Sequence, residues 1–380
     1  MSKPLTMNHR ERWLAAMTFG QPDRLPFEPG WPRESTLRRW REEGLPEGSP
    51  WQKAHQNAVG IAIPDSPASA QPHAPVRMNP MFEEKVLSRR DGHLILRDWM
   101  GNIVEIDDRF DASHIRHAVD FVTRKWHAFP VADRADFEKM KQRYRVDDPF
   151  RRADDPAALY AALRGREHVA HISVPGPFWQ MREWCGFEPL CRLLIDDPDF
   201  VHEMASFWME FVSAVLAPAF REGAVDALFI SEDMAYKQKS MISPAAAREF
   251  LGPVWKRWTR EAAQGGVRVV SMDCDGCVDE LIPLWIEAGL RACDPVEVAA
   301  GCDLPAYRRR FGRQMAYRGG VDKRAIAKGG QALADEIARV APVALDGGYI
   351  PGCDHGVPSD ISWPNFVAYG RLLAELGGWL

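Results

Sequence analysis

Ser271-Met272-Asp273-Cys274-Asp275-Gly276-Cys277 places two carboxylates and two thiols within five residues. The stretch follows the mostly apolar run Val267–Val270 and precedes a helical pattern beginning at Val278. A strand that ends in acids and thiols and turns into a helix is how a parallel α/β protein presents reactive groups. On a strand Asp273 and Asp275 point to the same side, roughly 6–7 Å apart. That spacing suits a shared cation, a protonated substrate nitrogen, or acid/base work by a carboxyl of raised pKa. The alternative is structural: Asp275 caps the helix from Val278 while Asp273 bonds a neighbouring loop. Cys274 and Cys277 form a lone CxxC without the second pair of a zinc ribbon. Cys277 has the helix N-terminal placement of a redox cysteine, whereas Cys274 points away from its aspartate neighbours, into helix packing.

Partners for these acids are expected at the ends of other strands. Ser231-Glu232-Asp233-Met234-Ala235-Tyr236 offers Glu232 as a further catalytic acid, with Asp233 and Tyr236 as substrate contacts. Cys353-Asp354-His355 brings thiolate, carboxylate and imidazole to a Gly- and Pro-rich loop. Cys353 and His355, with a third donor such as Asp275, are of the types that ligate zinc, and His355 is also a candidate acid/base. Trp31, Phe178 and Trp179, with Trp184 and Phe187, either line a flat apolar pocket or belong to the core. Arg182 and Lys237 either bind carboxylates or are surface charges.

The elements that must position these groups follow from periodicity. A short helix opens at Asn8, Leu25–Pro29 reads as a first strand, and Ser35–Glu43 as a helix. Between about 45 and 165 the pattern changes: Lys85–Leu87, Leu94–Arg97 and Ile103–Ile106, separated by Asp-Gly and Gly-Asn turns, predict a β-meander. We read this region as an insertion capping one end of a larger scaffold. From His168 onward strands alternate with amphipathic helices: strand Val169–Val174, helices Phe178–Ile195 and Phe200–Phe220, strand Ala227–Ile230, helix Pro244–Gln264, strand Val267–Met272, helix Val278–Ala288 and strand Arg291–Cys293. Helix Leu304–Phe311, strand Met315–Tyr317, helix Gln331–Val340, strand Val343–Leu345 and helix Asn365–Leu376 complete the series. With the N-terminal strand the units approach eight, so the expected fold is a single α/β domain over residues 1–380. Its architecture is a (β/α)8 TIM-type barrel with an inserted β-meander.

The 380 residues carry a formal net charge of −5, which gives no basis for nucleic-acid binding. No apolar run is long enough for a membrane span, and no apolar signal core opens the chain. Seven unevenly spaced cysteines do not form a disulfide framework, so a reducing cytoplasm is the expected location. No GxGxxG or GxxxxGK[ST] follows a strand, against nucleotide cofactors.

Taken in order, several segments resemble the uroporphyrinogen decarboxylase superfamily. Asn8-His9-Arg10-Glu11-Arg12 through Gln21-Pro22-Asp23-Arg24-Leu25-Pro26 is similar to its opening segment, and Val174-Pro175-Gly176-Pro177-Phe178 to its Gly-Pro-Phe loop. Leu281-Ile282-Pro283-Leu284-Trp285-Ile286-Glu287-Ala288-Gly289 resembles its "IP…EAG" helix, and His355-Gly356-Val357-Pro358 to Asn365 its C-terminal loop. The resemblance implies one of two activities. The decarboxylases hold the eight carboxylates of their substrate with an arginine-rich segment after the first strand; here Phe27 to Glu34 contains Arg33 alone and an added acid.

The corrinoid-dependent methyltransferases instead bind zinc through a His-x-Cys before the "IP…EAG" helix and a Cys in the C-terminal loop. Alignment on Gly276 puts Asp273 and Asp275 at the first two positions and Cys353 at the third, departing from that pattern at two ligands. The resemblance thus implies a methyltransferase acting between a small methyl donor or acceptor and a methylcobalamin-type corrinoid on a separate protein, with zinc as an implied cofactor. Methylation of an acceptor and demethylation of an ether or amine both fit it. A decarboxylase or lyase of a smaller acid and a non-catalytic binder of tetrapyrrole or corrinoid are the alternatives. A homodimer is compatible with the chain.

Overall fold

The chain's computed structural model describes residues 5–64, 70–118, 120 and 122–380. Ahead of the parallel sheet, the chain builds a four-stranded antiparallel sheet from β1 (Lys85–Arg90), β2 (His93–Arg97), β3 (Ile103–Asp107) and β4 (Lys125–Ala128) in that order. Leu94, Leu96, Val104 and Ile106 alternate inward and make its small core. The expected three strands are present; β4 was not anticipated, because Lys125-Trp126-His127-Ala128 has no apolar alternation and is exposed throughout.

The second sheet is parallel and ordered as the chain runs: β5 (His171–Pro175), β6 (Ala227–Ser231), β7 (Val269–Asp273), β8 (Ala292–Asp294), β9 (Ala316–Val321) and β10 (Tyr349–Cys353). A doubly wound sheet would reverse its strand order midway; sequential neighbours throughout belong to a barrel. Two extended segments lie beside the outer strands. Pro29 accepts from the Cys353 amide (3.3 Å), and Pro32 bridges Val357. Gln71 exchanges bonds of 3.3 and 3.1 Å with the Val169 carbonyl and the His171 amide. The expected first strand, Leu25–Pro29, is one of these segments and forms no ladder. Pro26 and Pro29 have no N–H to donate, which limits pairing along it.

Outward-facing Ile172, Val174, Leu228, Ile230 and Met272 pack with buried Trp208, Trp255, Trp258 and Trp285 in the main core. Inward, the strand starts carry small residues: Ala227, Ala292 and Ala316, with Val169, Val269 and Ile350, surround Trp13 of the helix His9–Met17. Asn8 and Glu11 form a capping box that starts this helix. A large indole set on an alanine ring plugs the N-terminal end of the barrel and leaves the C-terminal end to the site.

Two expected helices and one expected strand are corrected. Phe178–Ile195 is two helices, Pro177–Cys185 and Phe187–Asp196. They break at Gly186 (φ +86°), where a Cβ would lie 2.3 Å from the Phe129 ring. Val343–Leu345 is not a strand: the helix Gly330–Asp346 continues through it, burying Val340, Val343 and Ala344 on one face, and ends at Gly347-Gly348 before β10. The helix expected from Val278 begins at Ile282. No described helix is long and apolar enough to cross a membrane.

Candidate active site

A cavity of about 1230 Å³ runs down the barrel from the strand C-termini toward Trp13. Asp233, Asp273, Asp275, Cys353 and His355 line it, as do Trp31 and Trp179. From the stretch between 45 and 165, Trp51, Gln52 and Gln71 reach it; none of the meander strands does.

Asp273 ends β7 opposite Asp294, the last residue of β8. It accepts from the Ser231 hydroxyl at 2.9 Å. Burial pushes its carboxyl well above the usual range, with Asp294 adding to the rise and Asp233 and Asp275 contributing. Asp294 is raised too, mainly by burial; Arg318 (3.4 Å) and the Ser271 hydroxyl (2.9 Å) oppose that. Arg318 also bonds Glu28 at 2.9 Å. Both carboxyls are thus raised by burial, and the doubly ionised form of the pair is disfavoured.

Asp275 lies beyond the strand and caps no helix. Its Oδ2 is 2.9 Å from His355 Nε2, and its amide donates to Asp233 Oδ1 at 3.2 Å. Gly276 makes this turn at φ +88°, where a Cβ would lie 2.6 Å from the Ala235 carbonyl carbon. The Asp275 hydrogen bond and charge raise His355, against burial and the nearby Lys323 and Arg33. Asp233 sits at φ +41°, an uncommon conformation for a non-glycine residue. Its carbonyl accepts from Arg182 (2.9 Å), whose guanidinium lies over the Trp179 ring.

Other expected site residues lie elsewhere. Glu232 is fully buried and does not line the cavity. Its Oε2 accepts from the Phe178 and Trp179 amides (2.9 and 3.1 Å) and its Oε1 from the Trp255 indole (2.7 Å). It thus anchors the start of the helix Pro177–Cys185, and Gly176 is glycine because a Cβ there would lie 2.1 Å from the Glu232 carboxyl carbon. Burial pushes Glu232 up to about 8 despite those three donors. Phe178 is a core ring, and Tyr236 is exposed outside the cavity. Cys274 points into the core, as expected, and its sulfur accepts from the Met234 amide. All seven cysteines are free thiols.

The expected zinc set does not assemble. Among the described residues no three His, Cys, Asp or Glu side chains are arranged to hold a metal ion. Asp275 and His355 are bonded to each other, while Cys353 is buried against Gly30, its thiol pushed up to about 12.

The uroporphyrinogen decarboxylase (URO-D) profile matches residues 130–371, more than half of the chain. The chain belongs to the uroporphyrinogen decarboxylase family. That fold is a TIM barrel, in agreement with the sequential parallel sheet. A solved methyltransferase from Methanosarcina mazei shares the fold at a TM-score of 0.57, with 16% identity, covering 97% of this chain and 99% of that one. A B12-independent methionine synthase from Shewanella sp. W3-18-1, in complex with selenomethionine, is 11% identical (TM-score 0.34), covering 60% of this chain and 66% of its own. A putative vitamin-B12-independent methionine synthase from Listeria monocytogenes is 12% identical (TM-score 0.31), covering 56% and 65%. No curated protein matches the chain.

Four residues that line the site of this URO-D family member are not among those singled out from the sequence: Glu28 and Arg318, and Ser231 and Asp294, which do stand at predicted polar strand ends. Asp294 stands at a predicted strand end beside Cys293, a signal sufficient to find it. Arg318 is a single charge within β9, in Ala-Tyr-Arg-Gly-Gly-Val. A charge on an inward strand position marks a polar barrel interior rather than a packed one.

Proposed function

We propose that this URO-D family member is a methyltransferase, moving a methyl group between a heteroatom of a small molecule and the cobalt of a corrinoid held by a separate protein. The observation that carries this reading is the charge of the cavity. Five carboxylates (Glu28, Asp233, Asp273, Asp275 and Asp294) line it with one arginine, Arg318, which already lies between Glu28 and Asp294. A polycarboxylated porphyrinogen would meet acids and a single guanidinium that is already paired, where its carboxylates need several; a neutral ether or an amine needs none.

The corrinoid supplies cobalt as methyl acceptor or donor, and the residues of this chain handle the substrate. The Asp273 carboxyl, raised by burial and by Asp294, holds a proton that it delivers to the leaving oxygen or nitrogen as its bond to the methyl carbon breaks, and Asp273 is left as the carboxylate. Asp275, held by His355, orients the substrate by accepting a hydrogen bond. The rim suits a flat macrocycle: Trp31 is 70% exposed and stacks edge-on against Trp51 at 5.5 Å.

The test is product formation. The protein, a reduced corrinoid protein and a panel of methyl ethers and methylamines are incubated together, and products are identified by mass spectrometry. A demethylated product that requires both proteins supports the reading. Carbon dioxide released from a carboxylic acid without corrinoid would replace it with a decarboxylase.

A further inference from the structure

Arg33 lies outside the cavity lining, yet its Nη2 is 3.2 Å from His355 Nδ1, while the opposite ring nitrogen, Nε2, is 2.9 Å from Asp275 Oδ2. The backbone fixes this meeting: Pro32 bridges Val357, and the Arg33 amide donates to the Val357 carbonyl at 3.2 Å. A guanidinium has only donors, so a hydrogen bond at this contact needs Nδ1 as the acceptor; Arg33 and burial favour the neutral ring that can accept, against the raising effect of Asp275. A neutral imidazole that accepts at Nδ1 carries its proton on Nε2. Nε2–H then donates, and Asp275 Oδ2 must accept.

We infer that Arg33 is a positioning residue: through His355 it fixes Asp275 as the acceptor at the barrel mouth, leaving the donor role to Asp273. The two aspartates of the motif are thereby given opposite duties by a residue far away in sequence. The kinetic part of this inference rests on the methyl-transfer reading; the hydrogen-bond directions do not.

The experiment is nitrogen NMR of the full chain labelled at histidine, with the His355 signals assigned by their loss in His355→Gln. The expected wild-type pattern is an acceptor-type Nδ1 and a protonated Nε2. Arg33→Met should lose that pattern and Arg33→Lys, which still donates, should keep it. In the methyl-transfer assay Arg33→Met should lower kcat about tenfold with little change in KM, and Arg33→Lys should restore it. A protonated Nδ1 in the wild-type protein would overturn the inference without touching the methyl-transfer reading, as would an unchanged pattern in a folded Arg33→Met. Should Arg33→Met not fold, the wild-type and Arg33→Lys spectra decide. Failure of the assay alongside the expected spectra would count against the proposed reaction instead.

Discussion

Asp273 and Asp275 are two residues apart and have little else in common. The first is half-buried beside Asp294 and raised by that burial and then by its neighbour; the second is bonded to an imidazole at the rim. Two carboxyls with different surroundings are how one site obtains an acid and an acceptor. Asp273→Asn should therefore lower methyl-transfer kcat by about 10²- to 10⁴-fold with the melting temperature nearly unchanged, as read by steady-state kinetics and circular dichroism. Glu232 behaves differently because its oxygens are fully occupied inside the protein. Glu232→Gln turns an amide donor toward an N–H and should cost about 1–3 kcal/mol in denaturant unfolding. The sequence showed which residue types stand at strand ends. It did not show which way each side chain turns, so Glu232 and Asp294 were weighted in the wrong order.

At the scale of elements, periodicity recovered the strands and helices whose two faces differ in polarity. It failed where backbone geometry decided. The helix break at Gly186 answers to Phe129, over 50 residues away, and the Leu25–Pro29 segment keeps its shape without a ladder. Val343–Leu345 has strand-forming residues, but its buried positions continue the helical spacing from Val340. Gly276 shows how tightly the site loop is specified. Gly276→Ala adds a positive-φ penalty to a backbone clash and should destabilise by about 1–3 kcal/mol, measured by chemical denaturation. Activity should fall with it, because Asp275 precedes this residue.

For the whole molecule, Arg318 ties β9 to the extended segment at Glu28 and to Asp294 on β8, so one side chain joins that flanking segment to the charge of the site. Arg318→Met would leave two partly buried acids without it, a loss of about 3–5 kcal/mol. Burial raises Asp294, so its neutral form, which needs no counter-ion, persists as pH falls. The sign follows: the loss should be smaller near about pH 5.5 and larger near about pH 8, seen as a widening gap in melting temperature from wild type. The barrel itself was legible as alternating strands and helices. Its hollow, acidic interior depended on which strand residues face inward, and that became visible only in three dimensions. The central claim is methyl transfer with Asp273 as proton donor, and the most direct measurement is the visible spectrum of the cobalt in a single turnover. Mixed with a reduced corrinoid protein and a methylated ether or amine, the wild-type chain should convert the reduced cobalt spectrum to the methylated one, and Asp273→Asn should slow that conversion about 10²-fold or more. A cobalt spectrum that stays unchanged across the whole substrate panel, or that changes equally fast with Asp273→Asn, would contradict the account.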